Sequence, residues 1–403
     1  MNCAKSRLFE TSGELVMKYK LLGRSGLRVS ELCLGCGTFG TKWGPIGADE
    51  DASRQIFDAF TEAGGNFIDT SNRYQESQSE QFLGGFIHPN RDRLVLATKY
   101  SLFDGFADPN DPNASGNHRK NLLRSVESSL KRLKTDYIDL LWVHIQDHTT
   151  PVDEILRALD DLIRQGKILY IGISNFPAWW IARANTMADH YGWTPFIATQ
   201  VEWSLVERSC EPEFLPMANE LDIALVAWSS MAGGLVTGKY NRGQLDPHQL
   251  YRLTEHVDPN KHVFWTEATR RNLAIMDKVV KIADGMHRPP AQVALRWLMQ
   301  QQVVTIPVFA ARTLEQVKEN LGACDFTLTE AEMQQIEQVT RPAIASVMPE
   351  VGPYPYPMLE YGSPAIPGFY SRALLFGNVE YKIMNHRRKF PYKYNPAGVP
   401  SLK

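Results

Sequence analysis

The chain has 403 residues, 43% of them hydrophobic and 22% charged, with a formal net charge of −2; this balance permits a full globular core and points away from nucleic acid or an anionic membrane surface. No apolar run approaches the roughly 18 residues of a membrane span, and the first residues, MNCAKSRLFETSGELV, lack the apolar stretch of a secretory signal. The cysteines (Cys3, Cys33, Cys36, Cys210, Cys324) are odd in number and only Cys33 and Cys36 have CxxC spacing, which argues against a disulfide framework or a structural metal and leaves a reduced, cytoplasmic protein as the expectation.

Residues 18–30 read as a short hairpin with turns at Gly23 and at Ser25-Gly26. Short apolar runs then alternate with helical patterns. The candidate strands are Glu31 to Leu34, Asn66 to Asp69, Leu94 to Thr98, Ile138 to Val143, Ile168 to Ile173, Ile197 to Val201, Ile223 to Trp228 and Val303 to Pro307. They are too short for helices, and continuous apolar runs suit parallel strands buried on both faces. Between them, Asp51 to Ala63 carries Ile56, Phe57 and Phe60 at helical spacing, and Leu122 to Leu133 places Val126, Leu130 and Leu133 on one stripe. Thr150-Pro151-Val152-Asp153 reads as a helix start, with Thr150 as N-cap, Pro151 at the first position and Gly166 as the end. Thr329 followed by Glu332 has capping-box spacing. Two parts stand outside the alternation. Residues 239–266 form a long link. Residues 342–403 hold ten of the 24 prolines and seven of the 15 tyrosines, a composition that excludes regular helix over most of an irregular C-terminal arm.

Eight strands, each followed by a helix, leave a closed (β/α)8 barrel and a doubly wound sheet as the two choices. The first strand runs into Leu34-Gly35-Cys36-Gly37-Thr38-Phe39-Gly40, which matches the bare GxGxxG spacing that a doubly wound dinucleotide site uses. No helical pattern follows it directly, because residues 41–47 are rich in glycine and proline, so the TIM barrel is preferred.

In a barrel, the chemistry sits where strands end. The strand ends here are Asp69, Lys99, His144, Ser174-Asn175, Gln200 and Trp228-Ser229. Each alone has an ordinary explanation as a cap, a solvated end or a satisfied core histidine. Together they converge on one mouth. A carbonyl that accepts hydride develops negative charge on oxygen and needs a proton donor. Tyr74 supplies one, although phenol has a pKa of about 10. Lys99 is expected to lower it, Asp69 to hold Lys99, and His144 to hydrogen-bond and orient the carbonyl oxygen, without a metal.

At these residues the sequence resembles the aldo-keto reductase superfamily, in its aryl-alcohol dehydrogenase-like branch. The family's Asp, Tyr, Lys and His tetrad falls on Asp69, Tyr74, Lys99 and His144. GNHRKNLLRSVESSLKRLKTDYIDLLWVH, Gly172-Ile173-Ser174-Asn175-Phe176, Gln200-Val201-Glu202-Trp203, Trp228 to Leu235 and Ile306 through Asn320 match further family segments in order. The resemblance covers roughly residues 17–360 and decides for the barrel. It implies an NADP(H)-dependent oxidoreductase that reduces aldehydes or ketones to alcohols on a catalytic barrel over 17–341, preceded by an extension (1–16) and followed by the arm (342–403). It implies a cofactor site of Gly37, Thr38, Ser174, Asn175, Gln200, Trp228, Ser229, Met231, Gly233, Leu235 and Lys239. Arg312 would meet the 2'-phosphate of NADP, with Gln316 and Asn320 at the adenosine. Thr313 and Gln316 also have capping-box spacing. Ser230 and Met231 stand where the family usually has proline and leucine, and Ala310 where glycine is common.

Phe39, Trp43, Tyr100, Phe103 and Trp203 are expected to line an apolar substrate mouth, with Phe106, Phe176, Trp179 and Trp180 as further candidates, which favours aryl aldehydes over sugars. The partner implied is a small carbonyl substrate, with no nucleic acid or membrane. The arm, which carries a basic cluster at His386 to Lys389, is a candidate for joining copies of the chain into a homo-oligomer. Two other readings stay open: a sugar or sugar-phosphate aldehyde reductase, and a cofactor-binding redox sensor of the kind found in potassium-channel β subunits.

Overall fold

The structure is a computed structural model that describes residues 17–104, 108, 110–241 and 263–341 and two short strands at 362–363 and 366–367. The expected N-terminal extension, Phe106, residues 242–262 of the link and almost all of the arm lie outside these residues. In chain order the chain opens with a hairpin, β1 (Tyr19–Leu21) and β2 (Arg28–Ser30), paired antiparallel as expected. Eight strands follow: β3 (Cys33–Gly35), β4 (Phe67–Asp69), β5 (Val95–Tyr100), β6 (Ile138–Val143), β7 (Ile168–Ser174), β8 (Ala198–Glu202), β9 (Ala224–Trp228) and β10 (Thr305–Phe309). Every neighbouring pair is parallel, and β10 closes onto β3, so the sheet is a complete barrel. The doubly wound alternative is excluded.

Around the barrel run α1 (Glu50–Glu62), α2 (Gln78–Phe86), α3 (Arg119–Leu133), α4 (Val152–Arg164), α5 (Ala178–Tyr191), α6 (Glu211–Leu221), α7 (Val263–Gly285), α8 (Pro290–Met299), α9 (Leu314–Leu321) and α10 (Glu330–Thr340). Their starts are set locally. Asp49 caps α1 by accepting from Ala52 N–H, and Thr329 with Glu332 forms the expected capping box of α10. The start of α4 differs from expectation. Pro151, not Thr150, is the N-cap, because the Thr150 hydroxyl is committed to Asp147 Oδ2 at 2.6 Å.

A strand sends alternate side chains to opposite faces, and this period of two divides the core. Cys33, Phe67, Val95, Ala97, Leu140, Trp142, Ala198, Ala224, Val226 and Ile306 fill the barrel interior in one cluster. Their chain neighbours, such as Leu34, Ile68, Leu96, Leu141 and Val143, pack outward against the helices. Gly172 lies beside Trp142, where a Cβ would sit 2.4 Å from the indole, so the glycine makes room for that ring inside the barrel. Leu22 and Val29 of the hairpin join the interior cluster and plug the end where the strands begin. The opposite end is left for polar side chains.

Candidate active site

The inward parity that puts Phe67, Ala97, Trp142, Gly172, Ala198 and Val226 in the interior puts Asp69, Lys99, His144, Ser174, Gln200 and Trp228 one step further along the same strands. These six form the polar layer at the C-terminal mouth. Asp69, Lys99 and His144 are each at most 2% exposed.

Lys99 Nζ is the hub. It forms an ion pair with Asp69 Oδ2, donates to Thr70 O at 3.0 Å, and donates to the Tyr74 hydroxyl at 3.0 Å. The other Asp69 oxygen accepts from Gln200 Nε2 at 3.1 Å. Both carboxylate oxygens are therefore committed, which fixes the ammonium. Because Lys99 donates to Tyr74, the phenol's own proton stays available to a third group. The expected direction of the Tyr74 pKa needs correction. Burial first, then the Asp69 carboxylate, push the phenol well above its ordinary value. Tyr74 is thus a held acid rather than a standing phenolate. Burial, then the Lys99 charge, push the His144 imidazole well below its ordinary range, so the ring is neutral and has one N–H to give.

Tyr74 is aimed by an unusual turn. Gln75, Glu76 and Ser77 have φ of 51°, 53° and 66°, three non-glycine residues in the left-handed region, each of which costs of order 1–3 kcal/mol. Side-chain bonds hold them there. Gln75 donates to Gly37 O at 3.0 Å and accepts from Trp43 N–H at 2.8 Å, and Ser77 Oγ donates to Asn72 O. The Tyr74 ring lies edge-on to Trp43 at 6.1 Å and to His144 at 6.0 Å between centroids.

His144 is pinned by groups that strand-end reading misses. Its Nδ1 faces Ser71 Oγ at 3.3 Å and its backbone N–H reaches Ser101 Oγ at 3.2 Å. Ser101 Oγ in turn accepts from Asn117 Nδ2 at 2.8 Å. Asn117 and Asp147 exchange two bonds, from Asn117 N–H to Asp147 Oδ2 at 2.8 Å and from Asp147 N–H to Asn117 Oδ1 at 2.7 Å. This buried clamp joins the loops after β5 and β6. Its local sequence signature is the Asp147-x-Thr149-Thr150 pattern, in which Asp147 Oδ1 accepts from both threonine N–H groups at 2.9 Å.

The residues proposed for a nicotinamide cofactor line one side of the same mouth. Asn175 (φ 57°) donates to His144 O at 3.0 Å and to Ser174 Oγ at 3.0 Å and accepts from Trp228 Nε1 at 3.2 Å. Next to Trp228, Ser229 has φ 56° and a buried hydroxyl without a partner. Ala232, Gly233 and Gly234 continue in the left-handed region, and Lys239 Nζ lies 3.2 Å from the Cβ position of Gly234. Leu235 turns its side chain into the core and has only its backbone to offer. Gly37 lies against the Tyr74 ring, and Thr38 Oγ1 ties the β3 loop to Ala311 O at 2.8 Å. Ser230, where the resemblance has proline, bonds Val308 O at 2.6 Å and so anchors the loop to β10. Arg312 and Thr313 open α9, and Gln316 is used locally, its Oε1 accepting from Arg312 N–H at 2.8 Å; Asn320 is buried on the same helix. The orphaned Ser229 hydroxyl, the glycine pair and Lys239 fit a phosphate-bearing cofactor. Among the described residues no cluster suited to a metal ion occurs.

The expected aromatic mouth shrinks. Phe39 is fully buried against Phe86, Tyr100 packs in the helix layer with Leu122 and Val126, and Trp203 stacks edge-on with Trp297 while its Nε1 donates to Glu211 at 2.9 Å. Tyr100 and Trp203 each follow an inward residue, so parity turns them outward. Phe176 and Trp180 pair in the core, and Trp179 is exposed on the surface. Trp43 and Phe103, both half-buried, are the two of the five that stay at the surface of the mouth loops.

The sequence pattern of the Aldo/keto reductase family matches residues 31–341. A norsolorinic acid reductase of Aspergillus flavus is 36% identical over 79% of this chain and 79% of its own length, and an aryl-alcohol dehydrogenase [NADP(+)] of Phanerodontia chrysosporium is 35% identical over 77% and 82%. A norsolorinic acid reductase A of Aspergillus parasiticus is 36% identical over 78% of each chain. The matched span covers the barrel that carries Asp69, Tyr74, Lys99 and His144, and the chain belongs to the aldo/keto reductase family of oxidoreductases.

Proposed function

We propose that the protein is an NADP(H)-dependent reductase of aryl aldehydes or ketones, with the barrel over 17–341 as its catalytic unit. The observation that carries this is the donor geometry: a protonated Tyr74 hydroxyl 3.0 Å from a Lys99 ammonium that is itself locked by Asp69. The nicotinamide supplies the hydride when bound. The substrate oxygen accepts a hydrogen bond from neutral His144, which sets its angle without adding charge. As that oxygen gains negative charge it takes the Tyr74 proton, and the phenolate left behind is stabilised by the adjacent Lys99 ammonium. Gln200 keeps Asp69 in place throughout. Ser174 and Asn175 offer amide-binding groups, Trp228 a flat face, and Ser229, Gly233 and Lys239 a phosphate path. Arg312 at the start of α9 favours NADP over NAD, because a guanidinium forks onto a phosphate, and one relative is named for NADP(+). The half-buried Trp43 beside Tyr74 favours a flat aromatic substrate over a sugar.

The test is NADPH and NADH oxidation with a panel of benzaldehydes. Turnover with a preference for NADPH is expected. The rate of reduction should also be flat from about pH 6.5 to 9, because Tyr74 keeps its proton and His144 stays uncharged over that span. Tight NADPH binding without any carbonyl turnover would move the protein to the redox-sensor class.

A further inference from the structure

The reaction above leaves Arg73, on the loop after β4, without a task. Arg73 directly precedes Tyr74 and is the sole lysine or arginine in residues 70–78 and 101–118, the loops after β4 and β5. It is half-buried, and its Nε is fully enclosed with no hydrogen-bond partner. Among the described residues no carboxylate forms an ion pair with it. Glu76 on its own turn and Asp104 on the β5 loop act on it by charge alone, which puts the guanidinium at the junction of these two loops. Their pull does not compensate it: burial prevails and lowers its pKa. The backbone is fixed as well, since Arg73 N–H donates to Ser71 Oγ at 3.2 Å, the same hydroxyl that faces His144.

An enclosed guanidinium N–H without a partner is costly, and an anion that bonds it recovers the lost solvation. Neither cationic candidate of the tetrad can take this role, since Lys99 is paired with Asp69 and His144 is neutral. We propose that Arg73 is a specificity-determining residue that binds a carboxylate carried on the substrate's aromatic ring, so that the enzyme prefers acidic aryl carbonyl compounds over their neutral counterparts. This rests on the carbonyl-reductase function proposed above.

The test compares 3- and 4-carboxybenzaldehyde with their methyl esters, using the full chain, Arg73→Gln and Arg73→Lys. The quantity read is the acid-to-ester ratio of kcat/KM, which cancels the reactivity of the aldehyde. In Arg73→Gln that ratio should fall about tenfold or more, through KM rather than kcat, and Arg73→Lys should retain part of it. A merely structural arginine would lower acid and ester together and leave the ratio unchanged, which overturns the proposal. Calorimetric titration of 4-(hydroxymethyl)benzoate and its methyl ester in the presence of NADP separates the two levels. If no aldehyde is reduced but the acid still binds more tightly than the ester in an Arg73-dependent way, the proposed reaction fails and the anion site stands. Equal binding by wild type and Arg73→Gln removes the site whatever the turnover.

Discussion

At the C-terminal end of the barrel, non-glycine residues are held in left-handed conformations at Gln75, Glu76, Ser77, Ser101, His148, Asn175, Ser229 and Ala232; at the other end, among the described residues, such angles occur at Lys134, Asp222 and His287. The second group follows helices α3, α6 and α7, where a left-handed residue is an ordinary way to stop a helix. The first group lies in loops after strands, and side-chain bonds hold it at Gln75, Ser77, Ser101 and Asn175. At the strand-start end the closure is apolar: Leu22 and Val29 complete the interior cluster, and Tyr19 and Lys20 anchor the hairpin through bonds to Gly64 O, Met299 O and Thr305 O. The contrast separates two jobs. Packing closes the floor, where a lost methyl group costs stability. Hydrogen bonds hold strained backbone at the mouth, where a lost bond costs geometry.

The sharpest way to test this separation is Tyr74→Phe. Removing the proton donor should lower kcat for carbonyl reduction about 10²- to 10⁴-fold. Chemical denaturation should show a change in stability of no more than about 1 kcal/mol, since one half-buried hydrogen bond is lost. A variant that loses activity and folding stability in parallel would show that the mouth also carries the fold. Leu22→Ala is the converse. Leu22 is 0% exposed in the barrel floor, so its truncation should destabilise the protein by about 2–5 kcal/mol. Its kcat and KM, measured well below the melting temperature, should match wild type; a selective loss of kcat would mean that the floor transmits geometry to the mouth.

The floor also holds a buried charge that makes its stability pH-dependent. Burial lowers the Lys20 pKa from 10.5 to about 8. Below pH 8 the ammonium is charged in both folded and unfolded chains, and the fold bears its desolvation. Between 8 and 10.5 it is neutral in the fold but still protonated when unfolded, so its release favours folding as pH rises, and above 10.5 the burden is gone. At about 1.4 kcal/mol per pH unit, the gain is at most about 3 kcal/mol. Denaturant unfolding of wild type and Lys20→Met from pH 7.5 to 10.5 isolates it, because buried tyrosines and cysteines titrate in both proteins. The stability of wild type relative to the variant should climb across that window; a constant difference would mean Lys20 titrates as an ordinary lysine.

What the sequence revealed follows the same division. Strand ends are legible because apolar runs mark strands and the polar residue that ends each one is inward by parity, as with Asp69, Lys99 and His144. The aromatic mouth departs from expectation where parity decides: Tyr100 follows inward Lys99 and Trp203 follows Glu202, so both face the helices. Phe39 sits outside any strand, and its burial against Phe86 depends on a contact 47 residues away in the chain that no local pattern encodes. The Asn117–Asp147 clamp joins two loops through side chains at a separation of 30 residues, and only its Asx-turn half has a local signature. The Gln200 bond to Asp69 spans 131 residues of sequence and has no local signature; it uses only Nε2 and leaves Oε1 for the cofactor amide that the resemblance implies.

The smallest expected effect lies at Ser230, where the resemblance implies proline. Ser230 is fully buried and bonds Val308 O at 2.6 Å, next to the Ser229 hydroxyl that has no partner. A proline at this position has no hydroxyl to reach β10, so the serine is a side-chain tether specific to this loop. Ser230→Ala should cost about 1 kcal/mol by denaturant unfolding, the usual worth of one buried hydrogen bond. If the tether also sets the phosphate path, KM for NADPH should rise a few-fold while kcat at saturating cofactor stays put, because the Tyr74–Lys99 pair is untouched. A stability cost without any change in KM would assign the bond to the barrel rather than to the mouth. Ser230→Pro then discriminates further: a proline that restores KM without the hydroxyl would show that the loop needs a stiff backbone at this point rather than this hydrogen bond.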